Sequence, residues 1–232
     1  MRLPGPLRPG LFLSRPNRFL TVVELDGDTV EAHLPDPGRL KELLVPGCRV
    51  WVRPVSSASR KTRFTLTLVE ASGGELVSLI TTFPNEMVAE ALDAGRIKEL
   101  SEWTVAAREY SWGRSRFDFV LSRGEEERML LEVKSVTLVK ERRALFPDAV
   151  TARGARHVRE LTAARAEGVQ AAVFFAIQRH DARSVTAARA IDPAFADALT
   201  QARSAGVHLL GYRCRVTTEE AHITEAVPVI VS

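Results

Sequence analysis

The chain has 232 residues, of which 45% are apolar and 26% are charged, a composition typical of a globular protein with one large or two small domains. The formal net charge of +3 at pH 7 is too small to indicate a polyanionic partner by itself. Two cysteines without paired spacing argue against a zinc site and favour a reducing compartment. Because the N-terminus lacks the apolar run of a secretory signal and no segment is as long as a membrane span, we expect a cytoplasmic protein without a membrane contact.

Short apolar segments separated by turn residues fill roughly the first third of the chain. A hairpin is predicted around the turn Asp26-Gly27-Asp28, and Pro46-Gly47 should end a short helix. The count of strands suits a small β-barrel such as an OB-fold, with a fragment of a β-sandwich as the alternative. The predicted elements are strands at 19–25, 29–34, 49–53, 63–70 and 75–80 and a helix at 39–44.

The pattern changes near Pro84, where helical periodicity begins to alternate with buried strands. The continuous apolar run Ala171–Ile177 predicts a central strand that is covered on both faces. We therefore expect an OB-like barrel at 1–82, a candidate nucleic-acid-binding domain, followed by a mixed α/β domain at 83–232. The predicted elements of this second part are helices at 85–94, 153–167 and 193–204 and strands at 104–108, 117–121, 128–137, 171–177 and 207–212.

Two of these apolar strands carry acids, Asp118 on one and Glu132 on the next, with Lys134 two positions later. An ionised carboxylate in a buried strand is costly unless something pairs with it, and a divalent metal is one good partner. Glu132 and Lys134 share a strand face, and pairing of the two strands would bring Asp118 close to them. An Asp followed by Glu-x-Lys on adjacent strands is the arrangement of metal-dependent phosphodiester hydrolases, which predicts Asp118, Glu132 and Lys134 as catalytic residues.

In that prediction the two carboxylates hold Mg²⁺ or Mn²⁺ and the main-chain carbonyl of Val133 supplies a third oxygen. Lys134 would position or help to deprotonate the attacking water. Glu90, on the preceding helix, can complete a metal set of Glu90, Asp118 and Glu132, whereas Glu86 fits a solvated helix face. The alternative is a plain Glu132–Lys134 ion pair at a strand edge, with Asp118 an acid near a turn.

Basic residues cluster at three places that suit phosphate contacts. The first cluster, with aromatic residues nearby, lies on the predicted barrel and suits single-strand binding by stacking and charge. The second directly precedes the Asp118 strand, and the third follows the loop 146–151 at a helix N-terminus, where backbone N–H groups favour phosphate. Solvated loops and an exposed amphipathic helix are the structural alternatives. The candidate nucleic-acid-binding residues are Arg60, Lys61, Arg63, Arg114, Arg116, Arg153, Arg156 and His157.

Several motifs together resemble a known family. They include His33–Arg39, Ser115–Phe119, Glu132–Lys134 and the highly specific run Phe146–Thr151 followed by Arg153-Gly154. In this order they are similar to the bacterial sugar fermentation stimulation protein A family, and the resemblance covers nearly the whole chain. It implies an N-terminal OB-like domain, a C-terminal domain of the PD-(D/E)xK nuclease type, DNA binding and a role in regulating sugar (maltose) metabolism.

Three functions therefore stay open at the level of the sequence, the third being a nucleic-acid-binding accessory protein that works only in a complex. The first is a Mg²⁺-dependent nuclease, because the cluster of Asp118, Glu132 and Lys134 is costly and a protein that only bound DNA would not need it. The second is a non-catalytic DNA-binding regulator on a nuclease scaffold, since a fold does not establish an activity. DNA is the expected partner, with single strands or RNA as further substrates, and the sequence indicates no oligomeric state.

Overall fold

A computed structural model describes residues 1–56 and 60–231. The chain forms two compact units, residues 1–83 with 215–221, and residues 84–214 with the chain from His222 onward. Segment 215–221 joins the first unit through main-chain hydrogen bonds: Leu3 donates to Glu219, and Ala221 donates to Met1 at 3.0 Å. Nothing in the sequence pattern indicated that this late segment returns to the first unit.

In the described part of the first unit, five strands close into a barrel in the order β1-β2-β3-β5-β4, with β4 pairing back to β1. Parallel pairing of β3 with β5 closes the ring, and β6 adds to the outer edge of β5. The OB-like prediction is confirmed. The strands are β1 (Arg8–Asn17), β2 (Leu20–Leu25), β3 (Asp28–His33), β4 (Arg49–Pro54), β5 (Phe64–Glu70) and β6 (Leu76–Ser78).

Two features of the barrel differ from the sequence prediction. β1 was not predicted, because its prolines and glycine weaken a strand pattern. Gly10 is needed there, since a Cβ atom would lie 2.5 Å from the carbonyl oxygen of Glu24 on β2. The helix predicted at 39–44 is wrong: Leu40 has a φ of +51°, and Leu43 and Leu44 donate to its carbonyl in a single turn instead.

The second unit contains a mixed sheet in the order β15-β14-β12-β9-β8-β7 across its described residues. β7, β8 and β9 are antiparallel, whereas β9, β12 and β14 are parallel. A smaller sheet, β10-β11-β13-β16, accompanies it. The elements are α1 (Phe83–Asp93), β7 (Thr104–Trp112), β8 (Ser115–Arg123), β9 (Glu127–Val136), β10 (Val139–Lys140), β11 (Arg143–Phe146), α2 (Ala152–Ala166), β12 (Gln170–Ile177), β13 (Ser184–Ala187), α3 (Pro193–Ser204), β14 (His208–Val216), β15 (Ala221–Val227) and β16 (Val229–Ile230).

The apolar strand β12 lies inside the sheet between β9 and β14, as its sequence predicts. Its side chains from Ala171 to Ile177 are buried. Phe175 of this strand joins a core that includes Phe117 of β8 and Phe195 of α3. The core fixes α2 and α3 relative to the sheet and so determines where the side chains of α2 meet β9. Among the described residues, no helix has both the length and the apolar character that crossing a membrane requires.

β8 and β9 separate at the position where both strands carry acids. Their pairing runs from Arg123–Glu127 to Phe119–Leu131. Past that point β8 stays paired with β7, and β9 stays paired with β12 as far as Val136. The separation leaves a wedge, called the fork below, between residues 115–118 of β8 and 132–136 of β9. Strands on either side hold the fork open, so its polar groups face one another instead of continuing the ladder.

Candidate active site

The carboxylate of Glu132 is the most buried acid of the fork, with 5% of the residue exposed. Its Oε1 atom accepts a hydrogen bond from Lys134 Nζ at 2.7 Å and lies 2.6 Å from His157 Nδ1. Its Oε2 atom is buried and has no hydrogen-bond partner among the described residues. One oxygen is therefore held by two donors, while the other has no such contact within the described residues.

His157 reaches Glu132 from helix α2 and is itself buried, with 2% exposed. Its Nε2 atom accepts a hydrogen bond from Arg153 Nε at 3.3 Å. Since a neutral imidazole carries one proton, Nδ1 is then the protonated nitrogen and donates to Glu132 Oε1. The ring also packs edge-on against Phe117, with centroids 5.7 Å apart. The sequence grouped His157 with the phosphate contacts, but the structure places it behind Glu132 as a partner of that carboxylate.

Asp118 lies where the β8–β9 ladder ends, and both of its oxygens accept hydrogen bonds. Asn85 Nδ2 donates to Oδ1 at 2.7 Å, and the main-chain N–H of Val133 donates to Oδ2 at 2.7 Å. Burial and the neighbouring charge of Glu132 raise the pKa of Asp118 from 3.8 to about 6, although these two hydrogen bonds oppose the shift. Asp118 thus exchanges its proton close to neutral pH.

Glu132 shows the opposite behaviour in the same surroundings. Burial alone would raise the pKa of Glu132, but the hydrogen bond from His157 and the charge of Lys134 outweigh it and hold that pKa below its usual range. The fork therefore contains one carboxylate that stays ionised, that of Glu132, and a second, that of Asp118, that is partly protonated near pH 6. A pair of carboxylates that repel each other in this way is a strong attractor for a cation.

Helix α1 contributes Asn85 to the site, a role that the sequence did not predict. An Asn at the start of a helix fits a cap, and its contact with Asp118 joins residues 33 positions apart. Glu90, the predicted metal ligand of the same helix, instead accepts a hydrogen bond from Arg96 at 2.6 Å, with its side chain 42% exposed. Within the part of the chain that the structure describes, no three His, Cys, Asp or Glu side chains are grouped so that they could hold a metal ion. Glu90 as a third metal ligand stays a prediction.

The remaining basic candidates of the second unit are exposed. Arg116 forms an ion pair with Glu109 at 2.7 Å, and Arg114 and Arg156 point to solvent. Arg153 is exposed as well and contacts His157. These side chains can approach a polyanion at the surface.

One backbone donor at the N-terminus of α2 is already bonded to the protein's own side chain. Thr151 Oγ1 accepts from the Gly154 N–H at 3.0 Å, and Asp192 accepts from the Thr151 N–H at 2.8 Å. The helix start thus has an internal cap. The Gly154 N–H is therefore not available to a phosphate.

On the barrel, the predicted basic cluster is exposed on the loop that leads into β5. Arg60 donates to Thr65 Oγ1 at 3.0 Å, and Lys61 and Arg63 are open to solvent. Arg60 and Lys61 border one depression of the barrel surface, and Arg63 borders another. The structure thus brings two of these three basic residues together.

Comparison with known proteins gives concordant matches to both units. Residues 13–79 match the model of the SfsA N-terminal OB domain, and residues 82–220 match the model of the sugar fermentation stimulation protein RE domain. A sugar fermentation stimulation protein homolog of Shouchella clausii is 45% identical, and the match covers 100% of both chains. The homolog of Moorella thermoacetica is 43% identical over 93% of each chain.

A solved structure of Pyrococcus furiosus SfsA, described as a complex with Ca²⁺, superposes with a TM-score of 0.89. It is 26% identical and the match covers 100% of this chain and 98% of that one. The two domain models, the full-length relatives and the shared fold agree with the motifs in the fork and in the loop before α2. This chain therefore belongs to the sugar fermentation stimulation protein family.

Proposed function

We propose that this protein is a metal-dependent phosphodiester hydrolase of the PD-(D/E)xK type that acts on nucleic acid, with DNA as the expected substrate. The observation that carries the proposal is the buried Oε2 atom of Glu132, which has no hydrogen-bond partner among the described residues and lies in the fork near Asp118. Leaving a carboxylate oxygen buried and unsatisfied is costly. A cation bound there would remove that cost.

The donor set of the fork fits a hard divalent cation. Asp118 and Glu132 offer carboxylate oxygens, which Mg²⁺, Mn²⁺ and Ca²⁺ prefer. Val133 directs its N–H to Asp118, and in an extended strand the carbonyl of the same residue leaves from the same edge, so it can supply a third oxygen. The Pyrococcus furiosus relative, described in complex with Ca²⁺, supports the choice of an oxygen-binding cation. When bound, such a metal polarises the phosphoryl oxygen and lowers the pKa of a water molecule.

Each protein group then has a distinct task. His157 and Lys134 fix Glu132 through Oε1, so that Oε2 keeps its direction without a change of rotamer. Asn85 holds Asp118 in the same way. The Lys134 ammonium is the buried cation beside Glu132 and shares a strand face with it. It can orient the attacking water and offset charge that develops on the scissile phosphate.

The alternative function, a non-catalytic DNA-binding regulator of sugar (maltose) metabolism genes on a nuclease scaffold, predicts binding without turnover. Such a protein would gain nothing from a buried and unsatisfied carboxylate. In a protein that only binds DNA, an apolar pair of similar volume in place of Glu132 and Lys134 would be at least as stable. The unsatisfied Glu132 oxygen thus favours the hydrolase.

The deciding experiment incubates the purified full-length protein with labelled single- and double-stranded DNA and RNA, in Mg²⁺, in Mn²⁺ and in EDTA. We expect metal-dependent cleavage that is lost in Asp118→Ala and in Lys134→Ala. Lys140→Ala is the matched control, because Lys140 is an exposed lysine of the same unit, and it should cleave like the wild type. Salt-sensitive binding with no cleavage in either metal would reject the hydrolase and leave the regulator.

A further inference from the structure

The barrel carries an exposed aromatic pair next to basic side chains. Phe19, in the turn between β1 and β2, is 50% exposed. Its ring lies nearly parallel to that of His33 at the end of β3, with centroids 6.5 Å apart and an interplanar angle of 20°. The guanidinium of Arg18 lies 5.7 Å from the centre of the Phe19 ring. We call these residues, together with Arg60 and Lys61, the aromatic face.

Phe19 is exposed but its backbone is held on both sides. Its N–H donates to Asn17 Oδ1 at 2.9 Å, and its carbonyl accepts from the Leu34 N–H at 2.9 Å. His33 is fixed as well, because it is paired with Leu20 in the β2–β3 ladder. The backbone that carries the Phe19 ring is therefore ordered before a ligand binds, which lowers the entropy cost of binding.

The aromatic face borders a depression of about 480 Å³, a volume suited to a ring-shaped ligand. Arg60, Lys61 and Glu31 are among the residues that line it. Two cations and one acid therefore line the depression, and the Arg18 guanidinium beside the Phe19 ring adds a further positive charge next to it. An aromatic platform beside a net positive charge matches a ligand that has both a flat base and a phosphate.

Two other candidates of the barrel, Trp51 and Arg15, are less available. Trp51 is only 8% exposed, against 50% for Phe19, so little of its ring is available to a base. Arg15 directs its guanidinium to the carbonyls of Gly38 and Arg39, so it stabilises the loop that follows β3. Among these barrel candidates, Phe19 with His33 is left as the available stacking platform.

We propose that the aromatic face binds single-stranded nucleic acid, with one base stacked on Phe19 and the adjoining phosphates near Arg60 and Lys61. Bases in a duplex are stacked on each other and cannot present their flat faces, so this platform selects unpaired bases. The face lies on β2–β3 and the loops at their ends, the surface that OB-folds use for oligonucleotides. The inference rests on the proposed function insofar as it names single strands as the substrate class of that hydrolase.

The test measures fluorescence anisotropy of the full-length protein with three probes in EDTA, which prevents metal-dependent cleavage. The probes are a 15-mer of oligo(dT), an abasic oligomer of the same length, and a duplex. We expect Phe19→Ala to weaken oligo(dT) binding roughly tenfold and to leave binding of the abasic oligomer unchanged. Phe19→Trp should bind oligo(dT) like the wild type, whereas Phe19→Leu, which keeps an apolar side chain, should bind like Phe19→Ala.

Two controls separate stacking from charge and from folding. Val45→Ala removes an apolar side chain that is also 50% exposed in the first unit, and it should leave all three affinities unchanged. A double Arg60→Ala, Lys61→Ala variant should weaken both single-stranded probes and reduce the slope of log K against log salt by about 1.4. Equal oligo(dT) affinity of wild type and Phe19→Ala, or a wild-type preference for the duplex, would overturn the inference.

These outcomes are independent of the proposed activity, because binding is measured without a metal. Loss of oligo(dT) binding in Phe19→Ala with no cleavage of any substrate would keep the aromatic face and reject the hydrolase. Cleavage of single strands that is as efficient in Phe19→Ala as in the wild type, at substrate concentrations below saturation, would keep the hydrolase and reject the aromatic face.

Discussion

His157 Nδ1 and Glu132 Oε1 are 2.6 Å apart, and both residues are buried. This contact joins helix α2 to strand β9 and determines which oxygen of Glu132 remains without a partner. The Arg153 contact at Nε2 fixes the tautomer, since an acceptor at Nε2 requires the proton at Nδ1. His157 can thus orient the carboxylate of Glu132 through this hydrogen bond.

The first prediction follows from this contact. His157→Ala should lower the free energy of unfolding by about 1.5–3 kcal/mol, because it removes a donor from a buried charged acceptor. It should also weaken Ca²⁺ or Mn²⁺ binding roughly 10- to 100-fold, as expected when the partner of a metal-binding carboxylate is lost. Urea unfolding and isothermal titration calorimetry measure the two effects.

Two variants test whether these effects come from the hydrogen bond of His157 to Glu132 or only from the packing of the His157 ring. His157→Asn places an amide nitrogen near the position of Nδ1 and should recover part of the metal affinity. Arg156→Ala changes the exposed neighbour on the same helix and should leave stability within about 0.5 kcal/mol of the wild type. Unchanged metal affinity in His157→Ala would contradict the orienting role.

The second prediction concerns pH and Asp118. Because the pKa of Asp118 in the folded state is raised from 3.8 to about 6, the folded protein binds the proton more tightly than the unfolded chain does. The stability from this group is fully present below pH 4 and is lost as the pH rises to about 6. Above pH 6 the ionised group costs up to about 3 kcal/mol, since a tenfold difference in proton affinity between the folded and unfolded states is worth about 1.36 kcal/mol.

Asp118→Asn should remove this dependence. The side chain of Asn85 can turn over so that its oxygen accepts from the new amide, which keeps the local hydrogen bonds. In EDTA, the variant should be more stable than the wild type at pH 7–8, and the difference should shrink toward pH 4. Urea unfolding across this range measures it. If the stability of the wild type relative to Asp118→Asn rises with pH, the pKa of Asp118 is not raised in the folded state.

The general architecture was within reach of the sequence because it depends on local patterns. Alternating apolar residues and turn dipeptides predicted most barrel strands, and the apolar run at 171–177 predicted the central strand of the second unit. The short helix at 39–44 failed because Leu40 takes a left-handed conformation, which few non-glycine residues adopt and which no local pattern indicated.

The site was only partly predictable because its organisation depends on distant contacts. Strand pairing predicted that Asp118 and Glu132 would be neighbours. The fork itself depends on β7 and β12, which hold β8 and β9 apart. The contacts of Asn85 with Asp118 and of His157 with Glu132 span 33 and 25 residues. Periodicity and spacing hold no information about contacts at such separations.

The third prediction separates metal binding from turnover through Lys134. Lys134→Met removes the ammonium at 2.7 Å from Glu132 Oε1 and should abolish cleavage. With one cation fewer beside Glu132, Ca²⁺ binding should be as tight as in the wild type or tighter. The metal-free variant should lose about 3–5 kcal/mol of stability, because a buried charge has lost a partner.

Added Ca²⁺ should recover much of that loss, since binding to the folded state contributes about 2.7 kcal/mol at one hundred times the dissociation constant. Thermal unfolding with and without Ca²⁺ measures the recovery, with Lys140→Met as the exposed-lysine control. Full cleavage by Lys134→Met, or loss of its Ca²⁺ binding, would assign Lys134 a different task.

The last prediction decides which residue of α1 serves the site. Asn85 donates to Asp118, and this hydrogen bond opposes the rise in the pKa of that carboxyl. Asn85→Ala should therefore raise the pKa of Asp118 further, so that protons compete more strongly with the metal at neutral pH. We expect metal affinity at pH 7 to fall roughly tenfold and to recover partly at pH 8.5.

Glu90→Ala provides the comparison on the same helix. Glu90 is bonded to Arg96 in an exposed ion pair, and such pairs contribute only about 0–1 kcal/mol. If Glu90 remains bound to Arg96 when the metal enters, its removal leaves metal affinity and the pH dependence unchanged. If Glu90→Ala lowers the metal affinity while Asn85→Ala does not, then Glu90 leaves Arg96 to become the third carboxylate ligand. In that case Asn85 serves only as a residue at the start of the helix.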